Sequence, residues 1–127
     1  NFVLFAISKM WGGEIFVPKI YSYNILDVAK AVCDKCKINV VGKRPGEKLH
    51  EEMITATDSS NTIEYNDYYV ILPVYQELLS YNTKKFLNNF DKNGKVCKEK
   101  FSYNSFDNPN FLTIKDLKKL IRDNKVN

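Results

Sequence analysis

Arginine is scarce in this 127-residue chain: Arg44 and Arg122 are the only two, so lysine supplies almost all of a formal net charge of +4. A clustered basic face is what would signal a nucleic-acid reader, and no such partner is expected. Lysine, asparagine, tyrosine and isoleucine are abundant instead, a bias that codon usage explains as readily as selection for a polyanion. Long apolar runs are also missing. None approaches the roughly 20 residues that span a bilayer and no secretory leader pattern is present, so no membrane span is expected and the expected address is cytoplasmic. The three cysteines are odd in number, which fits a reducing compartment and ordinary thiols better than a disulfide framework. A GxGxxG turn, a P-loop, a Ser–His–Asp order and internal repeats are absent as well. The chain holds no self-contained catalytic machine.

What is present suffices for a core. An apolar fraction of 44% and an aromatic fraction of 13% describe a folded domain, or part of one, rather than a disordered segment. The chain begins at Asn1, without methionine, inside a run where Phe2, Phe5 and Ile7 to Met10 form one helical face. That reads as entry partway through a larger fold, a C-terminal fragment.

Punctuation then sets the elements. Gly12-Gly13 stops the first helix, Glu14 to Val17 reads as a strand closed by Pro18, and Ser22 or Asn24 caps a second helix whose apolar face is Ile25, Leu26, Ala29 and Val32. A strand over Lys37 to Val41 follows, then the Pro45-Gly46 break and a third helix from Glu47 to about Thr55. This alternation favours α/β with parallel pairing. Asn61 to Tyr65 and Tyr68 to Leu72, around Asn66-Asp67, read as extended. Gln76 to Phe86 is a candidate helix, and Asp91 to Gly94 a loop. Thr113 caps a last helix with Asp116 in the capping-box position, and its Lys115, Lys118, Lys119 and Arg122 make a solvated basic stripe.

Most chemical motifs weigh little. Cys33-Asp34-Lys35-Cys36 is a CxxC, but zinc would need Cys97 and His50 at spacings no finger uses, and a helix C-terminus opposes a reactive thiolate. Tyr81 to Lys85 spells YxxxK without a cofactor fold around it. Asp91-Lys92-Asn93-Gly94 has glycine at the wrong position for a calcium loop and lacks the closing glutamate. His50 has no nucleophile beside it in sequence. The segment KRPGEKLHE, residues 43–51, is different. An arginine at a strand end beside a helix N-terminus suits a phosphate, and a carboxylate three residues on suits sugar hydroxyls. Against that, Arg44 reads equally as a solvated loop charge and Glu47 as a dipole partner of its helix.

Resemblance separates these alternatives. GGEIFVPKI (residues 12–20), ILDVAKAV, VVGKRPGEKLHEEMI and NTIEYNDYYVILP, in that order, resemble the C-terminal part of the UDP-N-acetylglucosamine 4,6-dehydratases. These belong to the extended short-chain dehydrogenase/reductase superfamily, and some also invert C5. The tail FSYNSFDNPNFLTIKDLKKLI is similar to the C-terminal extension of polysaccharide-biosynthesis members. The resemblance implies an α/β, substrate-binding C-terminal portion with a small, mostly parallel sheet and helices, the Rossmann core missing. Residues 1–72 would be the substrate-binding subdomain, truncated at its amino side; 73–100 a variable linker or insertion; and 101–127 a C-terminal extension ending in a helix. It implies that Arg44 contacts the diphosphate of a UDP-sugar and that Glu47 receives the uridine ribose hydroxyls. The complete enzyme would use NADP or NAD, serve capsule, O-antigen or flagellar glycan synthesis, and form a homo-oligomer. This chain would bind no cofactor and would not turn over alone. UDP-glucose 4-epimerase-like activity and a non-catalytic polyanion-binding module are the alternatives.

Overall fold

The computed structural model describes residues 1–74 and 83–124, and side chains satisfy open N–H groups where the helices beginning at Ile25 and Ile114 start. Helix α1 (Phe2–Lys9) ends as the Met10 N–H donates to the Ala6 carbonyl. Gly12 and Gly13, at φ 133° and 87°, then reverse the chain in a region that suits only glycine. The buried Glu14 carboxylate accepts the N–H groups of Trp11 and Gly12, each at 2.7 Å, which fixes the entry into β1 (Ile15–Pro18). Asn24 accepts the Leu26 N–H at 2.9 Å and opens α2 (Ile25–Val32).

The described residues form two compact units, the first made of Asn1–Lys19 and Glu52–Tyr103. It holds β2 (Glu52–Ile54), β3 (Thr62–Glu64), β4 (Tyr68–Ile71), α3 (Thr83–Phe90), β5 (Lys95–Val96) and the start of β6 (Tyr103–Asn104). The main sheet runs β1-β4-β3-β5, and β2 pairs with β6 in a second, two-stranded sheet. Every pairing in the main sheet is antiparallel, with Val70 facing Phe16 on one side and Ile63 on the other. The parallel sheet expected from the alternation is therefore corrected. A parallel pair needs a long crossover, whereas only residues 65–67 join β3 to β4.

Strand β4 shows why its sequence is apolar throughout. Tyr68, Val70 and Leu72 pack with Ile63, Tyr65 and Phe86, while Tyr69 and Ile71 pack with Val17, Ile54 and Tyr103. Alternate side chains serve opposite faces and both faces are covered, so the run Tyr68–Leu72 has no solvent side to mark with a polar residue. Aromatic rings complete the first face: Phe86 stacks on Phe90 at 4.6 Å and meets Trp11 edge-on at 5.1 Å.

The second unit is Ile20–Glu51 with Asn104–Asn127. Helix α4 (Ile114–Asp123) starts at a complete capping box, Thr113 with Asp116, and packs against α2. Ser22 bridges Phe111, its N–H donating to the Asn110 carbonyl at 2.9 Å. The buried Asn108 amide donates to the Ile20 carbonyl at 2.8 Å and to the Ser22 hydroxyl at 2.9 Å, so residues 20–22 are held by the tail.

Two further expectations are corrected in this unit and at its edge. Lys37–Val41 is not a strand: no neighbour offers a ladder, and Val41 is 87% exposed. The helix expected from Glu47 to Thr55 is replaced by turns and by β2, because Glu47 spends its carboxylate on the preceding loop. The helix expected over 76–86 lies partly outside the described residues; α3 begins at Thr83. Among the described residues, no helix is long and apolar enough to cross a membrane.

Candidate functional site

Arg44 and Glu47 are brought together by a tight turn. Gly46 takes φ 85°, which Pro45-Gly46 allows and a β-carbon would strain. The Glu47 N–H donates to the Arg44 carbonyl at 3.1 Å, and the Arg44 N–H returns a bond to Glu47 Oε2 at 2.9 Å. Arg44 Nε donates to Glu47 Oε1 at 2.5 Å. Both carboxylate oxygens are therefore engaged, and the Glu47 pKa is held below the usual carboxylate range, first by the Arg44 N–H and then by its guanidinium.

This arrangement differs from the expected one in a way that matters chemically. No helix starts at Glu47, so no fan of open N–H groups and no helix dipole converge on an anion there. A forked cation is what remains. Arg44 is 86% exposed in its side chain, and only its Nε is engaged among the described residues, leaving its other donors to water or a ligand. The carboxylate beside it orients the guanidinium and carries acceptors for hydroxyls. A diphosphate with a neighbouring sugar presents that complement: anionic oxygens for the fork, hydroxyls for the acid.

The other sequence candidates fall elsewhere. His50 packs edge-on against Phe106 at 4.8 Å, an aromatic role. Tyr81 lies outside the described residues, so its relation to Lys85 is not described. Asp91 accepts the Asn93 N–H through its side chain at 3.0 Å and the Gly94 N–H through its carbonyl at 3.2 Å, which is a turn. Among the described residues no group of three or more His, Cys, Asp or Glu gathers as a metal site. Within the basic stripe of α4, Lys118 is occupied: its Nζ donates to both oxygens of Asp34 at 2.8 Å.

Two features were not legible beforehand. Cys33 and Cys36 are joined as a disulfide, correcting the expectation of ordinary thiols; Cys97 is the remaining thiol. The CxxC spacing is the signal for this bond in the sequence, and the odd cysteine count points away from it. In the first unit, a cleft of about 700 Å³ is lined by Lys19, Glu64, Tyr65, Lys92, Gly94 and Lys95. Lys19 there is tied to Glu64 at 2.7 Å, and nothing in the sequence links residue 19 to residues 92–95.

Comparison with known proteins gives these residues a context. A family model described as polysaccharide biosynthesis protein matches residues 1–73. The chain is 39% identical over 121 residues to a UDP-N-acetylglucosamine 4,6-dehydratase (inverting) of Campylobacter jejuni, covering 95% of this chain and 36% of that protein. It is 37% identical over 75 residues to a UDP-glucose 4-epimerase of Rickettsia canadensis, covering 56% of this chain and 22% of that one. In structure it resembles Pen from Bacillus thuringiensis, with a TM-score of 0.74 at 25% identity, covering 94% of this chain and 34% of that chain. The chain thus spans about a third of the dehydratase it matches.

Proposed function

This chain belongs to the polysaccharide biosynthesis protein family, and we propose that it is the UDP-sugar-binding C-terminal part of a nucleotide-sugar 4,6-dehydratase of the UDP-N-acetylglucosamine class. The observation that carries the reading is the 39% identity to an inverting dehydratase over 95% of the chain. The exposed Arg44–Glu47 pair supports it, because a guanidinium already steered by a carboxylate meets a diphosphate with little further ordering.

In the proposed complex the Arg44 guanidinium neutralises the diphosphate and Glu47 accepts the ribose hydroxyls. Glu47 must be ionised to do both jobs, and its lowered pKa keeps it so. No GxGxxG run stands in the sequence of residues 1–127, which supports placing the NADP or NAD cradle elsewhere in the proposed enzyme. In the proposed complete enzyme, a cytoplasmic homo-oligomer, that cofactor and the chemical groups reside outside residues 1–127, and this chain alone does not turn over.

The test is UDP binding by calorimetry to the complete protein and to its Arg44→Ala variant. A charge-assisted contact is worth roughly 1.5–3 kcal/mol, so the dissociation constant is expected to rise about ten- to a hundredfold. An unchanged constant removes Arg44 from the site. The second reading, UDP-glucose 4-epimerase-like activity, rests on the 37% identity over 75 residues. It predicts interconversion of UDP-glucose and UDP-galactose without loss of water, which product analysis separates from dehydration.

A further inference from the structure

The loop that carries Arg44 and Glu47 has no regular structure from residue 37 to residue 49 and buries none of its residues. Beyond the Arg44–Glu47 turn within it, the loop is held at its ends. At the far end, Glu51 and Ser105 exchange two bonds: the Glu51 N–H donates to Ser105 Oγ at 2.9 Å, and the Ser105 N–H to the Glu51 carbonyl at 2.8 Å. At the near end stands the Cys33–Cys36 ring. Cys33 is the C-cap of α2, its N–H donating to the Ala29 carbonyl. Asp34, inside the ring, is clamped by Lys118 of α4. The ring therefore fastens the start of the loop to both helices of its unit.

We propose that Cys33 and Cys36 form a reversible dithiol–disulfide site, reduced by a small dithiol, that sets the order of loop 37–49. The consequence for substrate rests on the function proposed above; the redox site itself does not. Three observations carry it. Cys36 is exposed and Cys33 half-buried, so an attacking thiolate can reach the bond. Lys35 and Lys37 flank Cys36 in the chain and favour the thiolate released there, whereas Cys33 sits at the negative end of α2. The third cysteine does not compete, since burial pushes the Cys97 thiol up to about 11.

The exchange balances. One thiolate of the dithiol attacks the Cys33 sulfur, the S–S bond breaks, and Cys36 leaves as thiolate while a mixed disulfide forms. The second thiolate of the reductant then attacks its own sulfur in that mixed disulfide and releases Cys33. The reductant ends as a disulfide, and its two electrons and two protons end on the two cysteines.

The complete protein is equilibrated in oxidised glutathione or in dithiothreitol, quenched with acid, alkylated and mapped by mass. The peptide holding Cys33 and Cys36 is expected to carry no label after oxidation and two labels after reduction, returning to none on re-oxidation. Full labelling in oxidised glutathione overturns the proposal, and so does a bond that dithiothreitol leaves intact in the folded protein. Hydrogen exchange over residues 37–49 is expected to quicken on reduction, and a Cys33→Ser/Cys36→Ser variant to exchange at the fast rate in both buffers. Equal exchange in the two redox states overturns the coupling to the loop. Calorimetry with UDP separates the two proposals: no UDP binding in either redox state sinks the substrate reading, while the labelling result judges the cysteines.

Discussion

Replacing Phe86 by alanine tests whether the aromatic cluster of the first unit is its core. Phe86 has 0% of its surface exposed, stacks on Phe90 and touches the ring of Trp11. Truncation removes the transfer free energy of the ring and leaves a cavity between α3 and the sheet. The two terms together cost about 3–5 kcal/mol for a buried phenylalanine. Domain stabilities run at about 5–15 kcal/mol, so the loss is a large share of the total. In urea, with a slope of about 1–3 kcal/mol/M, the midpoint is expected to fall by at least about 1 M. Trp11 is the only tryptophan of the chain and sits against the deleted ring, so its fluorescence reads the unfolding locally. Phe106, 70% exposed, is the matched control, and Phe106→Ala is expected to stay within about 1 kcal/mol of the parent. A Phe86→Ala loss no larger than the control's would refute the assignment of the core to this cluster.

Gly94 lies against Tyr65, and a methyl group there would sit 2.7–2.8 Å from the ring and hydroxyl. Tyr65 is stacked on Tyr68 at 4.9 Å and cannot swing away cheaply, so Gly94→Ala is expected to cost about 1–3 kcal/mol by urea titration; a neutral result would show the ring can move. Asp116 is held below the carboxylate value of 3.8, first by the Thr113 hydroxyl and then by its N–H. A depressed folded pKa stabilises the protein above the unfolded value and is lost as pH falls through the folded one. Asp116→Asn should therefore flatten the acid limb of stability below pH 3.8, as read from unfolding midpoints against pH; an unaltered limb would place the effect elsewhere. Cys97, raised to about 11 by burial against an ordinary 9, is expected to alkylate about a hundredfold more slowly than an open thiol at pH 8, with the rate climbing tenfold per pH unit; a flat profile would contradict the buried placement.

Elements whose signals were local were legible in the sequence. Asn24 caps α2 and Thr113 with Asp116 closes the box on α4, side chains bonding backbone within a few residues, while Gly12-Gly13 breaks the chain after α1 by taking positive φ. Strand direction is not a local property. β1 reaches β4 across half the chain, and no residue of either strand records whether the edge it meets runs up or down. The same limit explains Ile38, Val40 and Val41. Their β-branched run has strand propensity, but propensity describes a surface awaiting neighbours, and at 41%, 76% and 87% exposure they have found no strand partner among the described residues.

The candidate site was half legible for a related reason. Spacing alone put Arg44 and Glu47 three residues apart around a Pro-Gly turn, and that much is a geometric statement the fold can honour in more than one way. A helix starting at Glu47 would have aimed its N–H groups at an anion and left the carboxylate as a dipole partner. In the structure the carboxylate instead folds back on the Arg44 N–H and Nε, and once both oxygens are committed the turn is closed and no helix can use them. The charge proposed to serve a phosphate is then the guanidinium. Electrostatic preorganisation therefore moves from the backbone to one side chain, so the proposed affinity for a diphosphate should fall by about the ten- to hundredfold expected for Arg44→Ala and should survive a change such as Lys48→Ala, which alters charge in the same loop without touching the fork.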